Sequence, residues 1–154
     1  MALKSTGYQA TATAVAWTSG QDLNTLSDNE WTDLSDAINN SSNKYVLYDF
    51  ELVLASAAFT GADSQVELYI VPSLDDTNYP NWTGNVATDE QENDQYFSGV
   101  TFVTSGATEA QRIVKRNVLV PPGYFKVGLR SLANVATAGS GNTLSYRPHS
   151  QEDV

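Results

Sequence analysis

Apolar residues recur at every second position between Tyr45 and Ala55, with Val46, Tyr48, Phe50, Leu52 and Leu54 set against Tyr45, Leu47, Asp49, Glu51 and Val53. A period of two predicts a β-strand with the first set turned inward. Asp49 and Glu51 turn the other face toward solvent or a polar partner. Ser64–Val71 follows the same rule, with Val66, Leu68 and Ile70 alternating with Glu67, Tyr69 and Val71. Pro72 lacks a ladder donor and is expected to end that strand. Further strands are predicted at Tyr96–Thr104, Arg112–Val120, Tyr124–Leu129, with Phe125, Val127 and Leu129 inward, and Thr143–Arg147. Arg112–Val120 has no purely apolar face, which suits a sheet edge or the underside of an interface. Gly61-Ala62-Asp63, Ser105-Gly106, Pro121-Pro122-Gly123 and Ala138–Asn142 supply the turns.

The first 18 residues are set apart as an arm or strand. In Gln9–Thr18, alanines 10, 12, 14 and 16 alternate with Thr11, Thr13, Val15 and Trp17. So small a face implies close approach to another surface. It is either an edge strand of its own domain or an arm that clamps a neighbouring subunit, with Val15 and Trp17 as candidate partner contacts. One short helix is predicted near residues 28–39. Ser27 and Glu30 have capping-box spacing, and Leu26 and Trp31 occupy the hydrophobic-staple positions. Trp31, Leu34 and Ile38 would share one face, and Trp31 would plug an open end of the domain or meet a partner. Residues 19–147 form the β-domain, and 148–154 are expected as a flexible tail. Strands joined by turns, with no alternating helices, define an all-β fold: an antiparallel β-sandwich.

The segments Val46–Leu54, Glu67–Ser73 and Val120–Val127 resemble small structural proteins of tailed bacteriophages. The likeness spans roughly residues 45 to 130 and is nearest to the decoration (cement) proteins on capsid exteriors. It implies a jelly-roll-like topology and a virion structural role, bridging and stabilising capsid subunits. It also implies a major capsid protein as partner, a homo-oligomer with a trimer favoured, and a place on the capsid exterior after assembly in a host cytoplasm.

Charged residues make up 17% of the chain, below the ~25% typical of soluble domains. Ser, Thr, Asn and Gln take their place, as suits strands and protein interfaces. The net charge of −10 is uneven along the chain. Residues 45–108 hold ten acids and no Lys or Arg, while 109–154 hold six bases against three acids. An acidic chain is a poor match for nucleic acid, whose binding rests on phosphate neutralisation. Arg112 and Arg116 lead a basic stretch that either faces an acidic partner or balances acids on neighbouring strands. No apolar run approaches the ~20 residues of a membrane span, and the first residues lack an apolar secretion segment. No membrane partner is therefore expected.

The chemical inventory is thin. With no cysteine and one histidine, His149, neither a zinc site nor an oriented triad is legible. Placing His149 in the tail leaves it without a second group to hold it. Asp49 with Glu51, and Asp75 with Asp76, are acid pairs of the kind glycosidases need. Any acidic β-protein offers such pairs, so no enzyme and no catalytic residue is assigned. Asp75, Asp76 and Asn78, and separately Asp89, Glu90, Glu92 and Asp94, offer oxygen ligands for calcium. Neither run has EF-hand spacing; both are read as solvated acidic loops, with no metal or cofactor assigned. The loop after Pro72 carries Tyr79 and Trp82, two aromatics in a polar surface segment. Their rings either fold over their own sandwich, anchor a subunit interface, or stack on sugar. The last would make the loop 75–84 a carbohydrate-binding or tail-associated recognition element.

Overall fold

The computed structural model describes residues 3–6, 11–55, 64–84, 95–103 and 109–153. Among them run nine strands: β1 (Leu3–Thr6), β2 (Thr13–Ala14), β3 (Ile38–Asn40), β4 (Leu47–Leu54), β5 (Gln65–Ser73), β6 (Phe97–Val103), β7 (Gln111–Leu119), β8 (Gly123–Leu132) and β9 (Thr143–Asp153). One sheet has the order β9-β4-β7, with β1 and β2 both on the outer edge of β9; the other has the order β3-β8-β5-β6. All strand pairings are antiparallel. With β1 and β2 taken as one leading strand, first pairs with last, β3 with β8, β4 with β7 and β5 with β6. The chain is one long hairpin rolled up, closed by the β4–β9 and β5–β8 pairings. That is a jelly-roll sandwich.

Alternation places the core. Tyr48, Phe50, Leu52 and Leu54 of β4 meet Val66 and Leu68 of β5, Phe125, Val127 and Leu129 of β8, and Phe102, Val118 and Leu144. All are buried between the sheets. Val46 belongs to the same alternating set but is half exposed at the mouth of the sandwich.

Pro72 does not end β5, which continues to Ser73 with Pro72 opposite Phe125 of β8. Ile70 N–H donates away from β8, to the Tyr96 carbonyl at 3.0 Å. Two residues on, the proline nitrogen faces the same way, and the β5–β6 ladder has already ended at Tyr69–Phe97. No ladder bond is lost there.

The helix expected over 28–39 is absent. The Ser27 amide does donate to the Glu30 carboxylate, but Glu30 N–H returns to the Ser27 carbonyl at 3.3 Å and closes only a turn. The chain then runs extended along the open edge of β8. Thr32 and Ser35 amides donate to the Leu129 and Val127 carbonyls at 2.9 and 2.8 Å. In return, the Leu129 and Val127 amides donate to the Thr32 and Ser35 hydroxyls at 3.0 and 2.9 Å. A helix of two or three turns is marginal alone, and an edge with unpaired amides offers this segment better partners.

Residues 148–153 are not a loose tail. They continue β9, and β1 pairs with them from Leu3–Asp153 to Thr6–Ser150. The turns at Gly61–Asp63 and Ser105-Gly106 lie outside the described residues.

Candidate interaction surface

Trp82 is turned back on its own sheet. Its indole N–H donates to the Thr32 carbonyl at 2.8 Å. Its ring meets Trp31 and Tyr69 edge-on, at centroid distances of 5.4 and 5.8 Å. Trp31 and Tyr69 are 4.7 Å apart, and both are buried. This aromatic layer covers the outer face of the β3-β8-β5-β6 sheet, where Glu67, Tyr69 and Val71 alternate outward from the core set. Gly128 makes the layer possible, since a Cβ there would fall within 2.1 Å of the Trp82 ring. Trp31 therefore seals an outer face, not an open end.

Tyr79 stays half-buried at the rim of the loop. Its hydroxyl donates to Asp76 Oδ1 at 2.9 Å, and Lys126 Nζ sits 4.6 Å above its ring. Burial first, and the Asp76 carboxylate second, push its phenol above the ordinary range. Asp75 organises the turn, accepting from the Asn78 and Thr77 amides at 2.8 and 2.9 Å and from the Asn78 side chain at 2.7 Å. These bonds, the Asn78 amide foremost, hold its carboxyl well below the usual carboxylate range. The second acidic run, Asp89 to Asp94, lies outside the described residues.

The partner contacts expected in the leading segment are built into the fold. Val15 is buried between the sheets, and its amide donates to the Leu144 carbonyl at 2.8 Å. Trp17 is half-buried, its indole donating to the Asp33 carbonyl at 2.8 Å. Arg112 pairs with Glu51 across the β4–β7 ladder at 2.7 Å. Arg116 is exposed beside a cleft of roughly 230 Å³ shared with Asp49, Glu51, Val114 and Arg147.

His149 is buried rather than loose. It lies opposite Leu47, with Nε2 3.3 Å from Asp49 Oδ1. Asp49 also accepts from the Asn117 amide at 3.1 Å, and its other oxygen is 3.8 Å from Arg147. Asn117, with φ of 59°, is the extra residue of a bulge between Tyr48 and Phe50. Asp49 thus pins the bulge, while Glu51 is engaged by Arg112. The link between Asp49 and His149 is a pairing across strands a hundred residues apart, which local spacing does not reveal.

What the fold leaves open is one end of the sandwich. Five large apolar side chains are exposed among the described residues: Val46, Leu74, Phe97, Val114 and Leu119. All but Val114 gather where β4, β6 and β8 begin and β5 and β7 end. Leu74 is fully exposed at the tip of its loop, and Leu119 is 75% exposed. Phe97 and Leu119 wall a shallow groove of about 440 Å³ there, with Ile70, Pro72, Tyr96 and Pro121. Apolar residues collected in this way, rather than scattered singly, mark a contact surface. Sequence alternation assigns Val46 to the core, places Leu119 on a strand suited to an edge or an interface, and does not single out Leu74. Only the rolled topology brings these chain-distant strand ends together.

No family model matches this chain, and neither a curated protein nor a solved structure matches it.

Proposed function

We propose that this chain is a non-enzymatic structural protein that decorates a bacteriophage capsid, docking on capsid subunits through the apolar end of its sandwich. The observation that carries the proposal is the gathering of Val46, Leu74, Phe97 and Leu119 at one end of the sandwich, where Phe97 and Leu119 line a groove. The phage-like segments 46–54, 67–73 and 120–127 supply the partner, a major capsid protein, and favour a trimeric assembly. Repeated docking across a shell bridges its subunits, and many identical contacts add avidity. The alternative, glycan recognition by the loop 75–84, has less support. Trp82 spends its ring on Trp31 and Tyr69, and Lys126 occupies one face of Tyr79.

The test is copy number per purified particle, measured by quantitative mass spectrometry against the major capsid protein. A simple fraction of the subunit number is the expected result. A few copies per particle would favour a tail-associated role, and absence would end the virion proposal. On capsids stripped of the protein, Leu119→Glu should abolish rebinding while Trp82→Ala retains it wherever the fold survives. The reverse pattern would favour the aromatic loop.

A further inference from the structure

Charge is unevenly placed across the width of the sandwich: bases lie along β7, with Glu109 just before them, and acids lie along the opposite side, where Arg130 is bonded to Asn29. On one side β7 ends its sheet, beside β6, which ends the other. Arg112 and Arg116 are exposed on the outer face of this edge strand, and Lys115, in register with Phe50, is half-buried at the edge itself. Arg112 is paired with Glu51, but neither Lys115 nor Arg116 has an acidic partner among the described residues. Val114, between the arginines, is 46% exposed. The strand is nine residues long and contains no proline.

On the opposite side, residues 18–36 wrap from the β2 edge of one sheet to the β8 edge of the other. The Asp36 amide donates to the Ala16 carbonyl, Asp33 to Gln21, and Thr32 to Leu129. This strip carries Asp22, Asp28, Glu30, Asp33 and Asp36, and no Lys or Arg occurs between positions 5 and 43. Its carboxylates bond neutral donors: Asp33 accepts from the Gln21 amide, Asp36 from the Thr18 hydroxyl and Asp28 from the Asn134 amide. Such bonds orient the carboxylates without cancelling their charge.

The two sides cannot meet within one molecule, because the sandwich lies between them. We propose that copies of this chain associate head to tail, the β7 side of one against the 18–36 side of the next. A two-fold contact through either side would set arginine against arginine or aspartate against aspartate. Opposite charges on opposite sides instead favour a heterologous contact, which closes a ring or runs on as an open chain. The charges would set register and partner choice, and Val114 would be covered. This surface is separate from the apolar end, which stays free for a capsid.

Sedimentation velocity over a concentration series, at about 0.05 M and 1 M salt, reads the association and its screening. Native protein should associate at low salt and weaken at high salt. Lys115→Glu/Arg116→Glu, which reverses the β7 side, should raise the dissociation constant at least roughly tenfold. Asp28→Asn/Asp36→Asn keeps both acceptor oxygens and removes two charges; it should do the same. Mixing the two variants restores one good contact, the native acidic strip of the first against the native β7 side of the second. The mixture should therefore form one-to-one dimers and stop there. Matching unfolding midpoints show that the variants are folded. Native protein that stays monomeric at both salts, association indifferent to both variants, or a mixture that stays monomeric would each overturn the proposal. So would association through the apolar end, shown by loss in Leu119→Glu alone.

Discussion

The two outer faces of this sandwich follow the same alternation and meet different fates. On β5 and β8 the outward residues Tyr69, Gly128 and Arg130 lie beneath Trp31 and Trp82. On β4 and β7 the outward residues Glu51, Arg112, Val114 and Arg116 face solvent beside an open cleft. A period of two says which residues leave the core; it does not say whether water receives them. What decides is whether another segment arrives. Two segments meet over the first face at Thr32: one runs along the β8 edge and lays Trp31 over the face, and the other donates the Trp82 indole N–H to the Thr32 carbonyl.

The sharpest way to break this contrast is to empty the covered face. Trp31→Ala removes a fully buried ring that contacts Tyr69 and Trp82, and Arg130 sits 5.0 Å from it. The expected loss is about 3–5 kcal/mol, as for other buried large-to-small changes. The urea midpoint measures it. A loss under about 1 kcal/mol, the level of ordinary surface substitutions, would show that the aromatic layer is an ornament on an independent sandwich.

Gly128→Ala sharpens the comparison from the other side. The new methyl would collide with Trp82, so about 1–3 kcal/mol should be lost, as for overpacking elsewhere. Removing the ring as well should relieve the clash, and Gly128→Ala with Trp82→Ala should destabilise by less than the sum of the single changes. Additivity would mean that the ring is not seated on Gly128. On the open face the one comparable position is Asp49, which is buried and bonded to the Asn117 amide. Asp49→Ala leaves the Asn117 amide without this acceptor, for an expected loss of about 1–3 kcal/mol.

Much of the architecture was legible because burial is periodic. The inward sets of β4, β5 and β8 matched their alternation, and the turn at Ala138–Asn142 marked the start of β9. The errors came from residues whose local chemistry admits two answers. Ser27 and Glu30 do form half of a capping box, yet the same hydroxyl-rich stretch, Thr32 to Ser35, substitutes equally well for strand carbonyls on β8. Pro72 reads as a break, although a proline whose nitrogen faces no ladder partner is harmless, and β9 runs on through Pro148. Of the candidate surface, Tyr79 and Trp82 stood out as aromatics in a loop, but Trp82 proved to be cover for the sandwich. The apolar end was illegible for a topological reason: Val46, Leu74, Phe97 and Leu119 are far apart in the chain and become neighbours only when the hairpin rolls up.

The smallest effect tests the turn that launches the covering segment. Asp75 is held ionised by the Asn78 and Thr77 amides, so its carboxyl in the folded chain lies below the ordinary value of 3.8. A depressed carboxylate stabilises the folded state fully above its unfolded value and loses that contribution as pH falls through the folded one. The loss therefore belongs below about pH 4, not in the neutral range. Asp75→Asn removes the titration but keeps an acceptor oxygen for the same amides. Its urea midpoint should fall less between pH 5 and pH 2.5 than that of the native chain, with little difference at pH 7. Because Asp75 is exposed, the difference is small and is read best locally, as amide exchange at Thr77 and Asn78. Equal acid dependence in the two proteins would mean that this turn does not hold the loop over the aromatic face. The covering of that face would then rest on Trp82 alone.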